Sequence, residues 1–330
     1  MNTVPVDLTD AALAAEVVDG LALVEDGLRE AAETEEALLE EASRHLIDAG
    51  GKRFRATLVL LAAQFGNPRD PRVVPAAVAI ELTHLATLYH DDVMDEAAIR
   101  RGHPSANSRW DNTIAILTGD YLFARASRIV ADLGEEAIKI QAETFAQLVH
   151  GQIAETIGPR PGQDPLAHYL RVVQDKTASL IATAGRFGAM LSGAPAGVTA
   201  RMAPACEALG VAFQLSDDIL DVASDSAESG KTPGTDLREG VPTLPVLHAL
   251  RDPGPGGERL QELLTTADLT DPALHAEALG LLRAHPAMKA AQADLQYWAK
   301  LARDEITALP AVAARAAFEA LCDYVVVRTG

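Results

Sequence analysis

Apolar residues recur at three- and four-residue spacing along most of the chain, as in Leu21 to Ala32 (LALVEDGLREAA) and Asp120 to Leu133 (DYLFARASRIVADL). Ala and Leu dominate and β-branched runs are short, so the pattern predicts helix throughout. Breaks fall at Gly50-Gly51, Gly66-Asn67-Pro68, Gly102-His103-Pro104, Gly158 to Gly162, Gly193 to Gly197, Gly230 to Gly240 and Asp252 to Gly257. Glycine and proline at those points end helices of roughly 12 to 30 residues. No internal repeat and no low-complexity linker interrupts the chain, which predicts one all-α domain over residues 1–330. The stretch from about 260 to 286 is less periodic and holds a turn-like segment, Asp268 to Pro272. It is expected to form a peripheral helical segment.

Composition narrows the class. A hydrophobic fraction of 48% with 23% charged residues belongs to a chain that buries a core, not to a disordered or fibrous one. With 28 basic and 47 acidic residues the formal charge is −19, which argues against nucleic acid as a partner. Only Cys206 and Cys322 are present, too few for a disulfide framework and in keeping with a cytoplasmic location. The start, MNTVPVDLTD, has no basic stretch leading into an apolar one, and no apolar run reaches about 18 residues, so neither secretion nor membrane spanning is expected.

Two aspartate clusters carry the chemistry. Asp91, Asp92 and Asp95 close the apolar run AVAIELTHLATLYH, and Asp217, Asp218 and Asp221, followed by Asp225, repeat the spacing in VAFQLSDDILDVASD. On a helix the first and last aspartate of each cluster share a face, their side-chain bases about 6 Å apart. Like charges stacked this way on an apolar helix call for a cation between them, and carboxylate oxygens suit a hard ion such as Mg²⁺ bridging to phosphate. A solvated acidic face is the alternative for either cluster alone. Cations lie near both: Lys52, Arg53 and Arg55 after a Gly-Gly turn at a helix start, Arg100-Arg101, Lys176-Thr177 and Gly230-Lys231. A glycine turn with exposed backbone N–H groups and three cations is a good anion site. Two further motifs are weighed, of which the first is discarded and the second stays as a runner-up. Ser229-Gly230-Lys231-Thr232 lacks the preceding strand and first glycine of a nucleotide phosphate loop, and Glu81-Leu82-Thr83-His84 is a single copy of a spacing that di-iron bundles need twice.

In their order, GGKRFRATLVL, IELTHLATLYHDDVMDEAAIRRG, DKTASL, FQLSDDILDVASDSAESGKTPGTDLREG and TLPVLHAL resemble the trans-prenyltransferases, the polyprenyl diphosphate synthases. That resemblance spans nearly the whole chain. It implies the all-α isoprenoid synthase fold, a helical bundle around a deep central cavity. It also implies a homodimer, and Mg²⁺-dependent condensation of isopentenyl diphosphate with an allylic diphosphate primer. By the same resemblance Asp91, Asp92, Asp95, Asp217, Asp218 and Asp221 hold the ions, about three once substrate is bound. Asp91, Asp95 and Asp217 are the strongest candidates for direct ligands. Arg100, Lys176 and Lys231 neutralise the allylic diphosphate. Lys52, Arg53, His84 and Arg101 hold the diphosphate of isopentenyl diphosphate, and Thr177 and Gln214 turn oxygen dipoles toward an allylic carbocation. Taken without the family, His84 reads as a core histidine, Thr177 as back-bonding to its own helix and Gln214 as capping a neighbouring backbone group. Two positions depart from the pattern: Val241 follows Glu239-Gly240 where many members have lysine, with Arg238 nearby, and Ala56 stands where many have proline.

In this family the bulk of the helix leading to the first aspartates sets product length. Ala86 and Thr87 are small, and Thr87, Thr83 and Ile80 lie within about 80° of the Asp91 face, Ile80 about 16 Å deeper. An open tunnel to that depth predicts an all-trans product of about C30–C50, suited to a quinone side chain, with C15–C20 as the alternative. Tyr89, rotated by about 160°, reads as packing. So hydrophobic a product implies transient membrane contact on release. A class I terpene cyclase is disfavoured by the all-aspartate second motif, and a non-catalytic subunit of a heteromeric synthase by the retention of both aspartates and cations.

Overall fold

A computed structural model describes residues 8–224, 233–252, 254 and 257–329. Its helices are α1 (Ala11–Ala32), α2 (Ala37–Asp48), α3 (Phe54–Ala63), α4 (Val73–Met94), α5 (Ala106–Arg109), α6 (Asn112–Leu133), α7 (Glu135–Ile157) and α8 (Pro165–Val172). They continue as α9 (Ser179–Leu191), α10 (Ala196–Ala223), α11 (Thr235–Arg238), α12 (Leu244–Arg251), α13 (Glu258–Thr266), α14 (Pro272–Ala284), α15 (Ala287–Thr307) and α16 (Ala313–Val327). The chain is all-α; several helix ends fall at the predicted glycine and proline breaks, while the ends of α1 at Ala32, α6 at Leu133 and α15 at Thr307 do not. No described helix is long and apolar enough to cross a membrane.

Two compact units are distinguished by packing. The first takes residues 1–146, 180–206 and 305–319, the second 147–179, 207–304 and 320–330. In the first, α4 is the central helix. Val73, Ala76, Ala77, Val78, Ala79, Ile80, Leu82, Leu85, Ala86 and Tyr89 are all buried, so it is apolar around its circumference and packs on α1, α3 and α6. Polar caps start its neighbours: the Asp10 carboxylate accepts from the Leu13 N–H at 2.9 Å, and Asp111 from Ile114 at 2.8 Å. Gly188 lets α9 lie against α3, since a Cβ there would stand 2.2 Å from the Val59 carbonyl oxygen.

One short β-hairpin interrupts the helices, β1 (Ile99–Arg100) paired with β2 (His103–Pro104). Arg101 and Gly102 form its two-residue turn with φ of 54° and 78°, the doubly left-handed geometry that matches strand twist. Helical periodicity gave no warning of it.

In the second unit, α10 enters a core that the 260–286 segment helps to build. Leu260, Leu263, Leu269, Ala278, Leu279 and Leu282 pack with Val222, Leu237, Val246 and Ala249 in one buried cluster. Between α8 and α9 the helix widens into a π turn over Val173–Ala178, a feature that recurs at functional sites.

Candidate active site

In the first unit the acids sit where a helix least favours them. Asp91, Asp92 and Asp95 occupy the end of α4, with Asp95 as its C-cap, where the carbonyl end of the helix dipole repels negative charge. Asp92 is fully buried, and its Oδ1 accepts from the Arg100 Nε at 2.6 Å. The other oxygen, Oδ2, is buried with no hydrogen-bond partner. Burial pushes the Asp92 pKa up, against the pull of Arg100. Asp95 is exposed and Asp91 half-buried one turn earlier. Oxygen-only donors at a negative helix end fit a hard divalent ion. Among the described residues no three His, Cys, Asp or Glu side chains gather to hold an ion by themselves. Mg²⁺ suits such a site because it takes one or two carboxylates and fills its other positions with water and phosphate oxygens.

A set of cations surrounds His84 on the same helix. Burial, then the charges of Arg55, Arg101, Arg53 and Arg100, hold the imidazole well below its usual pKa, so His84 is neutral. Arg101 is steered by the hairpin turn to the backbone carbonyls of Leu46 (2.7 Å) and Gly50. Gly51 has to be small here, since a Cβ would meet the Arg101 guanidinium at 3.1 Å. Arg53 adopts a left-handed backbone (φ 46°) as it enters α3. Its side chain is 2% exposed, forked onto Glu25 at 2.6 and 3.2 Å and donating to the Ile47 carbonyl at 3.0 Å. Its Nε and Nη2 are thus spent on the fold, while Nη1 is buried with no hydrogen-bond partner. Arg55, which the sequence reading placed in the motif but gave no substrate role, has a buried Nε without a hydrogen-bond partner. Burial lowers its pKa, partly offset by Glu81. Lys52 is exposed.

Deeper on α4, Ile80 and Thr83 line a cavity of about 10 Å³, together with Val130, Leu180 and Phe187. The hydroxyls of Thr144 and Thr183, which also line it, bond each other at 2.6 Å. Thr83 and Thr87 return their own hydroxyls to the carbonyls of Ala79 (2.8 Å) and His84 (2.7 Å). Ala86 is fully buried and does not line this cavity. Tyr89 is packed against α2, donating to the Ala42 carbonyl at 2.5 Å and accepting from the Leu46 N–H at 3.2 Å.

The second unit holds the other candidates. Lys176 and Thr177 project from the π turn, and Lys176 pairs with Glu155 of α7. Gly151 permits that approach, because a Cβ would stand 2.6 Å from the Lys176 backbone nitrogen. The Thr177 hydroxyl donates to Gln214 Oε1 at 3.3 Å, and Gln214 Nε2 donates to Asp218 Oδ1 at 2.9 Å, one turn along α10. Asp218 is buried, and its Oδ2 accepts from the Tyr169 hydroxyl of α8 and the Leu244 N–H at 3.5 Å. Burial pushes Asp218 up to about 7 despite these donors, and burial with the Asp218 charge pushes the Tyr169 phenol well above its usual range. Asp221 accepts from the N–H groups of Thr235 (3.1 Å) and Asp236 (3.2 Å), capping α11. Asp217 is the outward-facing member and pairs with Arg328 at 2.8 Å. Arg238 is exposed on α11. Asp225 and Lys231 lie outside the described residues.

Comparison with known proteins gives this arrangement its context. The profile of the family described as "Polyprenyl synthetase" matches residues 36–282. A nonaprenyl diphosphate synthase of Mycobacterium tuberculosis is 52% identical over 326 residues, 98% of this chain and 97% of that relative. Among solved structures, a geranylgeranyl pyrophosphate synthase from Corynebacterium glutamicum, complexed with calcium and isoprenyl diphosphate, matches with TM-score 0.88 and 43% identity, covering 98% of this chain and 100% of that one. A decaprenyl diphosphate synthase from Rhodobacter capsulatus matches with TM-score 0.86 and 36% identity, covering 97% and 99%.

Proposed function

The chain belongs to the polyprenyl synthetase family and is a prenyl diphosphate synthase; from that premise we propose that it is a cytoplasmic, Mg²⁺-dependent homodimer that extends an allylic diphosphate with isopentenyl diphosphate to an all-trans product of about C30–C50. The observation that carries the reading is α4, which ends on the half-buried Asp91 and exposed Asp95 and, about two turns earlier, carries the neutral His84 with its arginines. Small side chains on α4 support the longer product, as does the nonaprenyl name of the M. tuberculosis relative.

Asp91 and Asp95 would be the ligands contributed by α4, and Asp217 the ligand contributed by α10. Asp92 and Asp218, both buried, orient Arg100 and Gln214 instead of binding metal directly. Mg²⁺, when bound, draws off the negative charge that builds on the leaving diphosphate. Arg100, Lys176 and Lys231 add fixed positive charge there. Lys52, Arg53, Arg101 and His84 hold the diphosphate of isopentenyl diphosphate, joined by Arg55, which carries the larger share because Nε and Nη2 of Arg53 are engaged by Glu25. His84 contributes as a neutral donor or acceptor, which spares the site another buried charge. Thr177 and Gln214 present oxygens to the allylic carbocation, the double bond of isopentenyl diphosphate attacks it, and the proton lost in forming the new double bond goes to the departing diphosphate. Apolar walls keep water from quenching the cation.

The exposed Phe145, Val149 and Ile153 share a face of α7 and support assembly with a second copy. Incubation with Mg²⁺, labelled isopentenyl diphosphate and a panel of allylic primers, with product mass as readout, tests the activity. Asp91→Ala and Asp217→Ala should each abolish turnover, as should chelation. Near-normal rates in either variant would reject the ligand assignment.

A further inference from the structure

Tyr169 has no part in the mechanism above, yet it ends the hydrogen-bond chain that reaches Thr177. The chain runs from the Tyr169 hydroxyl to Asp218 Oδ2, from Gln214 Nε2 to Asp218 Oδ1 at 2.9 Å, and from the Thr177 hydroxyl to Gln214 Oε1 at 3.3 Å. Four elements contribute to it: α8, the π turn, α10 and the first residue of α12, whose N–H lies 3.5 Å from the same Asp218 oxygen as the phenol.

Each link constrains the next. A glutamine amide has one accepting and one donating end, and it can turn over if both orientations find partners. A buried carboxylate that accepts on both oxygens faces only the NH₂ end, so Gln214 has to turn its carbonyl oxygen to Thr177. Without the phenol, Oδ2 of an aspartate at 2% exposure would keep only the long 3.5 Å contact from the Leu244 N–H, so the carboxylate would rotate toward another donor and its hold on the amide would weaken. We propose that Tyr169 is a positioning residue for the condensation: its hydroxyl fixes the Asp218 carboxylate, and through it the direction in which the Gln214 and Thr177 oxygens point. The inference rests on the reading of Gln214 as a group that faces the carbocation. Tyr169 never touches substrate. Its influence should therefore fall on the reacting state and not on substrate capture, because misdirected dipoles weaken only the interaction that develops with the cation.

Tyr169→Phe removes a single hydroxyl and keeps the ring. Steady-state kinetics with Mg²⁺, primer and isopentenyl diphosphate should show kcat reduced about tenfold with KM for both substrates within about twofold. Circular dichroism and thermal unfolding accompany the assay to establish that the variant is folded at the assay temperature. The discriminating measurement is a double-mutant cycle. In a Gln214→Ala background, adding Tyr169→Phe should change kcat by less than about twofold, because the group through which it acts is gone. An equal tenfold loss in both backgrounds would overturn the inference, since Tyr169 would then act by another route, and so would a Tyr169→Phe enzyme with the parent kcat. If Gln214→Ala alone keeps full kcat, the role of Gln214 itself is what fails.

Discussion

Arg328, beyond the end of α16, reaches back to Asp217 on α10 with its Nη1 2.8 Å from the carboxylate. The same guanidinium donates to the Ser216 hydroxyl at 2.6 Å and to the Phe213 carbonyl at 2.8 Å, and lies 4.4 Å over the Phe213 ring. One side chain thus grips three polar groups within little more than one turn of α10, around the second acidic motif. Planar, forked donors make such multiple contacts in a way an ammonium cannot.

Arg328→Ala should therefore destabilise the protein by about 2–3 kcal/mol in urea unfolding and reduce kcat, because Asp217 loses the partner that aims it. Arg328→Lys should recover part of the stability and little of the activity. If both variants keep the parent rate, Asp217 is oriented without Arg328.

Arg53 and Arg55, two positions apart, separate in the same manner into structure and chemistry. Removing Arg53 takes the fork from the half-buried Glu25 and the ion-pair partner at 3.9 Å from the buried Glu81, so Arg53→Ala should cost about 3–5 kcal/mol and lower the unfolding midpoint. Arg55→Gln should leave the midpoint nearly unchanged and raise KM for isopentenyl diphosphate about tenfold or more while KM for the allylic primer stays put. The reverse pattern, with Arg53 governing KM, would return the larger share of the substrate role to Arg53.

How much of this is visible in the chain alone follows from the kind of information each feature needs. The helices and their breaks are local, written in periodicity and in Gly and Pro, and the acid clusters announce themselves because carboxylates at i and i+4 in an apolar run are costly without a reason. The choice between Arg53 and Arg55 is not local. It depends on Glu25, a residue of another helix, meeting one guanidinium and not the other. Asp92 and Asp218 look equivalent to their exposed neighbours in the sequence, but each is turned inward by the rotation of its helix, and its partners, Arg100 and Tyr169, come from other segments. The π turn at Lys176 and the hairpin at Arg101 perturb so few residues that an Ala- and Leu-rich background hides them. A glycine after a polar residue between short extended pairs was the available signal for the hairpin.

His84 supplies a pH signature. Its folded pKa lies well below that of an unfolded histidine, about 6.5. Below that pH the unfolded chain takes up a proton that the folded protein refuses, so this residue's contribution to stability is intact above about 6.5 and declines as the medium is acidified. Unfolding free energies of the parent and of His84→Gln, measured from pH 7.5 to 5.5, should show the parent losing ground relative to the variant as pH falls. A constant difference across that range would mean that His84 takes up its proton at the same pH in the folded protein as in the unfolded chain.

Product length offers the remaining test of how α4 works. Ile80 and Thr83 line the cavity, while Ala86 is fully buried and Thr87 stands one turn before Asp91. If the growing chain descends along this face, adding bulk near the acids should halt it early and removing bulk deeper should let it run on. Ala86→Phe should shift the product mass toward fewer isoprene units, and Ile80→Ala, which opens the cavity next to Phe187, should shift it toward more. Both variants carry a stability cost, of about 1–3 kcal/mol for overpacking and about 2–5 kcal/mol for the new void, so assays belong below the lowered unfolding temperature. Product length reports on the path independently of rate. An unaltered mass distribution in both folded variants would mean that the chain elongates along some other face than the one bearing Ile80, Thr83 and Ala86.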